Sequence, residues 1–96
     1  MSKRRFASVW DAIENTPAEA ASMKARAELM NSIIELVRKQ GLTQSEAAKR
    51  LGVTQPRVSD LMRGKVDLFS LDTLVDMLAL AGRRVELKVK REAAHA

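Results

Sequence analysis

Between residues 43 and 64 the chain reads TQSEAAKRLGVTQPRVSDLMRG. Apolar residues recur there at helical spacing, yet Gly52 and then Pro56 interrupt the pattern within a few residues. Thr43 opens one segment that Gly52 closes, and Thr54 opens a second that Gly64 closes. The chain must therefore turn sharply between two short helices, and few arrangements accommodate that.

The same punctuation organises the remaining sequence. Thr16 opens a segment closed by Gly41, and Ser70 opens one closed by Gly82. A hydroxyl side chain accepts hydrogen bonds from the first free N–H groups of a helix, and glycine takes the left-handed conformation that ends one. Two starts share the form T-x-x-E-A-A, Thr16-Pro-Ala-Glu and Thr43-Gln-Ser-Glu, which predicts two capping boxes with Pro17 in the first helical position.

The coarse reading is a mainly α chain. Phe6, Val9, Trp10 and Ile13 make a short amphipathic helical segment. Residues 17–40 form a long helix with Met23, Leu29, Met30, Ile33, Ile34 and Val37 on its inner side. After the two short helices, residues 71–81 place Leu71, Leu74, Val75, Leu78 and Ala81 inward. Beyond Gly82 the period changes: Val85, Leu87 and Val89 alternate with Glu86, Lys88 and Lys90, the two-residue period of a half-buried strand at 84–91. The expected organisation is an N-terminal extension at 1–15, a helical domain at 16–82 and a C-terminal strand and tail at 83–96.

The spacing of the central stretch is that of a helix-turn-helix. Counting from Gln44, a small residue (Ala48) falls fifth and a turn glycine (Gly52) ninth, while Leu51, Val58 and Leu61 fill the wedge between the helices. Pro56 lies in the first turn of the second helix, where its missing N–H is not needed. A hairpin that only packs would need the same buried residues, so the outer face has to discriminate. That face offers Gln55, Arg57, Ser59, Asp60 and Arg63, short or polar side chains beside a basic rim, which suits a helix in the major groove.

Residues 42–64 resemble the Cro/cI-type helix-turn-helix of the xenobiotic-response-element (XRE) family. The similarity extends from Ser8-Val-Trp-Asp-Ala-Ile through Met23-Lys-Ala-Arg-Ala-Glu-Leu-Met to Ala81-Gly-Arg-Arg-Val-Glu-Leu, a layout similar to HigA-like antitoxins, small regulators encoded beside an RNA-cleaving toxin of the RelE/ParE type. The resemblance implies a lambda-repressor-like bundle of four to five helices with a C-terminal β-strand. It also implies a repressor of its own operon that binds a palindromic duplex as a homodimer and neutralises a toxin. A stand-alone regulator and a protein-only interaction module are the alternatives.

By position, the resemblance implies that Gln44 caps the first short helix and donates to a phosphate, with Thr54, Arg63 and Lys65 also at the backbone. Gln55, Ser59 and Asp60 would read base edges, and Arg57 would bind guanine or phosphate. Pro56 departs from relatives with a polar reader there. Phe6, Trp10, Asp11 and Glu14 would engage a toxin, although Phe6 and Trp10 could instead complete this chain's own core. Val85, Leu87 and Val89 would form the dimer contact by pairing the strand with its copy; joining the sheet of a toxin is the rival arrangement.

Charge and composition agree with these expectations. The chain has 96 residues and a net charge of +5. Within 43–65, Lys49, Arg50, Arg57, Arg63 and Lys65 outweigh Glu46 and Asp60, and residues 83–92 are likewise +3. Residues 11–35 run to −3, with Asp11, Glu14, Glu19, Glu28 and Glu35 against Lys24 and Arg26. A chain polarised in this way suits two partners of opposite charge, an acidic one such as nucleic acid and a basic one. There is no Cys and no Tyr, and the one His is His95, so convergent catalytic groups, a metal site and a cofactor are not expected. Met1-Ser-Lys-Arg-Arg precedes no apolar run, and no stretch of about 18 apolar residues occurs. A cytoplasmic, non-membrane protein is the expectation.

Overall fold

Each of the four hydroxyl residues starts a helix, and each of the four glycines lies just past the end of one. The computed structural model describes residues 16–91. Helix α1 spans Pro17–Lys39, α2 Gln44–Leu51, α3 Gln55–Met62 and α4 Leu71–Leu80, with a 3₁₀ turn at Val66–Leu68 between α3 and α4. Thr16 and Thr43 both form full capping boxes: the Thr hydroxyl accepts from the Glu19 or Glu46 N–H, and the Glu carboxylate accepts from the Thr N–H. Thr54 and Ser70 cap α3 and α4 through the N–H groups of Arg57 and Thr73.

The four helices also end alike. The N–H of the residue after each glycine donates to a carbonyl five residues earlier: Leu42 to Val37 at 3.1 Å, Val53 to Ala48 at 3.0 Å, Lys65 to Asp60 at 3.1 Å and Arg83 to Leu78 at 2.8 Å. These bonds satisfy carbonyls that a helix end leaves open.

Helix α1 lies against α4, the 3₁₀ turn and α3, while α2 lies against α3 and α4. The core between them comprises Met30, Ile33, Leu36 and Val37 of α1, Ala47, Ala48 and Leu51 of α2, Val58 and Leu61 of α3, Phe69, and Leu74, Met77, Leu78 and Ala81 at the C-terminal side. Among the described residues Phe69 is the largest fully buried side chain, and it immediately precedes the cap of α4.

Several expectations need correction. Met23 is exposed, and α1 contains no fully buried residue before Met30; the helix runs past the edge of the core. Leu36, Met77 and Phe69 belong to the interior although the helical pattern did not single them out, whereas Leu71 and Val75 are only half-buried. The strand at 84–91 does not form in the single chain. Residues 83–91 carry no regular secondary structure, because a strand needs a neighbouring strand for its backbone groups. Val85 packs against the core, but Leu87 is 72% and Val89 98% exposed, so these two do not face the helices. The helix expected at Phe6–Ile13 lies outside the described residues.

Gly52 decides how closely α2 and α3 are joined. It sits at φ +71°, and a methyl group added there would come within 2.5 Å of the Leu80 Cδ1. Leu80 is 63% exposed, so its side chain can swing aside; the backbone conformation cannot change without opening the turn. Gly52→Ala should therefore cost about 1–2 kcal/mol through the left-handed backbone alone. Urea unfolding of Gly52→Ala beside the Gly52→Ala/Leu80→Ala double variant checks this, with trimming Leu80 expected to recover none of the loss.

Candidate nucleic-acid interface

Helix α3 has two turns, and its burial pattern sets what it can present. Val58 and Leu61 are fully buried. At about 100° per residue, Gln55, Pro56, Ser59, Asp60 and Arg63 fall on the opposite arc, with Arg57 and Met62 on the two flanks. Gln55, Pro56 and Arg63 are exposed, while Ser59 and Asp60 are half-buried. Gln55 is the first residue of the helix, directly after the capping Thr54.

Asp60 is the only acidic residue of α3, and two cations at the helix end surround it. Arg63 Nη2 lies 3.5 Å and Lys65 Nζ 3.8 Å from the Asp60 Oδ1. Pairs this exposed contribute little stability. Their effect is to hold two positive groups together at one end of the outward face and to offset the one negative charge on it. Lys49 and Arg50, in the last turn of α2, are also exposed.

Arg57 is placed differently from the sequence expectation. Its Nη1 donates to the Leu68 carbonyl oxygen at 3.0 Å, and its guanidinium carbon stands 4.1 Å from the centre of the Phe69 ring. The side chain runs sideways to the connector between α3 and α4 and is not part of the outward arc. Gln44 likewise does not cap α2; it is the first helical residue, exposed, and Thr43 is the cap. Phe6, Trp10, Asp11 and Glu14 lie outside the described residues. Among the described residues no three His, Cys, Asp or Glu side chains converge on a point that could hold a metal ion, and no helix is long and apolar enough to cross a membrane.

Helical periodicity overlooked Phe69, but a local signal points to it. Phe69 precedes the cap Ser70, and Leu74 is the fourth helical residue; apolar residues at these two positions pack as a staple across a helix start. Both belong to the buried cluster. Val53 and Val58 repeat the arrangement about the cap of α3, with Val53 partly buried against the same core.

No curated protein matches the sequence significantly. Among solved structures, a protein described as an XRE-family transcriptional regulator superposes with a TM-score of 0.72 at 27% sequence identity, covering 81% of this chain and 88% of that one. Residues 12–90 match a family of helix-turn-helix domains. The match and the shared fold support DNA-binding transcriptional regulation as the class of activity. With α2, the Gly52 turn and α3 in the arrangement such domains use to present a helix to DNA, and with most of the chain inside the match, this protein belongs to the helix-turn-helix domain family.

Proposed function

We propose that the chain is a sequence-specific transcriptional repressor that lays α3 in the major groove of double-stranded DNA and acts as a homodimer on a palindromic operator. The observation that carries this reading is the outward arc of α3. Small or amide side chains, Gln55 and Ser59, lie along it, and two cations, Arg63 and Lys65, are gathered at its end. In this reading Gln55, Ser59 and Asp60 face base edges, whereas Gln44, Thr54, Arg63 and Lys65 meet phosphates. Residues 16–82 are the DNA-binding domain, and the two termini are arms for other contacts.

Two α3 helices of a dimer would meet half-sites roughly 34 Å apart. Affinity for a duplex selected by the protein from a randomised library should fall steeply with salt, because each Lys or Arg on a phosphate releases counterions. Gln55→Ala should lose about 1–3 kcal/mol of discrimination at one base pair, and Lys65→Ala should weaken all duplexes alike. Fluorescence anisotropy titrations across a salt series measure both; a flat salt response rejects the proposal.

The exposure of Leu87 and Val89 supports the dimer contact. Two large apolar side chains on an unpaired segment are well suited to pairing with the same segment of a second copy, in an antiparallel ribbon that would also cover Val85. Since Leu87 and Val89 have little contact with their own chain, Leu87→Asp/Val89→Asp should leave the fold intact and convert the dimer to a monomer in sedimentation equilibrium. A dimer that survives both changes would put the contact on the helices.

An antitoxin role is the finer form of the reading. It is supported by the net −3 of residues 11–35, which is complementary to a basic RelE/ParE-type toxin and opposite in sign to residues 43–65. Deleting residues 1–15 should abolish rescue of cells that co-express the toxin encoded beside the gene, while leaving DNA binding in place. Undiminished rescue would remove Phe6, Trp10, Asp11 and Glu14 from the toxin contact, and the absence of a toxin gene would leave a stand-alone regulator.

A further inference from the structure

Arg57 is the one cation within α3, and its guanidinium is engaged inside the fold. It leaves the first turn of the helix, and its Nη1 reaches the Leu68 carbonyl oxygen at 3.0 Å. Its central carbon stands over the ring of the fully buried Phe69, 4.1 Å from the centroid. One side chain thus ties the N-terminal end of α3 to the connector eleven residues further on.

We propose that Arg57 is a positioning residue, a brace that fixes the angle at which α3 is presented. Discrimination between DNA sequences by Gln55 and Ser59 then depends on a residue that touches neither base nor phosphate. The inference rests on α3 being the DNA-reading helix. The physical reason lies in how few side chains of α3 are taken fully into the core. Val58 and Leu61 are the only fully buried side chains of α3, and a two-turn helix resting on two such residues can rock about the line that joins them. Arg57 lies to one side of that line and resists the rocking. Base recognition needs its side chains held to within about 0.5 Å and 10–20°, so a small change in tilt costs specificity before it costs binding.

The chemistry also calls for arginine. A planar guanidinium can lay its face on an aromatic ring while an N–H at its edge donates to a carbonyl oxygen; the ammonium group of lysine cannot do both in one geometry.

Arg57→Lys and Arg57→Met separate this role from direct contact. Each would be titrated with the duplex selected by the wild-type protein and with a scrambled duplex of equal length, over a range of salt. Arg57→Lys should lower the ratio of specific to non-specific affinity about tenfold, or about 1.4 kcal/mol. The loss should spread over all half-site positions, with the salt slope unchanged. A phosphate contact predicts instead that Arg57→Lys keeps the ratio and that Arg57→Met lowers the slope by about one. A base contact predicts loss of preference at a single base pair. Either result overturns the brace.

A second measurement needs no DNA. In urea unfolding, Arg57→Met should lower the midpoint in the wild-type background and change it by less than half as much in Phe69→Leu. Additive effects overturn the brace. A wild-type protein that selects no duplex overturns the DNA reading, and with it the consequence for specificity, while the unfolding cycle still decides whether Arg57 braces the helix.

Discussion

Two turns of helix do not persist in water by themselves, since isolated helices below about 12 residues are marginal. Helix α3 exists because Val58 and Leu61 are taken fully into the core beside Ala47, Ala48 and Leu51 of α2. Burial of each is worth about 1.5–3 kcal/mol, and the small alanine side chains let α3 come close enough to gain it. The same two residues settle which arc of α3 faces outward, so the stability of the helix and the surface it presents share one cause.

Charge is distributed over this scaffold without entering it. No polar or charged residue of the described chain is fully buried. Most cations are therefore left on the surface, where they act on a partner more than on the fold. Asp60, Arg57 and Arg26 are half-buried exceptions. Asp60 gathers Arg63 and Lys65 at one end of α3, while Arg57 is drawn to Phe69 and the Leu68 carbonyl oxygen. Arg57 and Arg63 thus carry the same side chain and take unlike roles according to the side of the helix they occupy.

Legibility of the fold in the sequence follows the range of the forces involved. Helix starts and ends were readable because capping and glycine turns act over three to five residues, and the wedge residues Leu51, Val58 and Leu61 followed from their spacing. The interior of α1 was harder. Leu29, Met30, Ile33, Ile34, Leu36 and Val37 cover nearly half of that helix, and which of them are buried depends on where α4 and the 3₁₀ turn lie. Leu36 went inside and Met23 stayed out for that reason. Alternation at 85–89 expressed a strand period, but a period carries no partner.

By itself, therefore, the sequence determined where each helix begins and stops, which residues form the wedge of the helix-turn-helix, and which stretches are acidic or basic, since all of these depend on neighbours along the chain. Only the tertiary structure decided that Met23 lies beyond the core, that Leu87 and Val89 remain exposed, and that Arg57 turns from the outward arc of α3 to Phe69. Those outcomes depend on which surfaces meet across the fold. A side chain as long as arginine can reach in several directions, and the ring and carbonyl that capture it come within reach only once α3 and the connector before α4 are packed together.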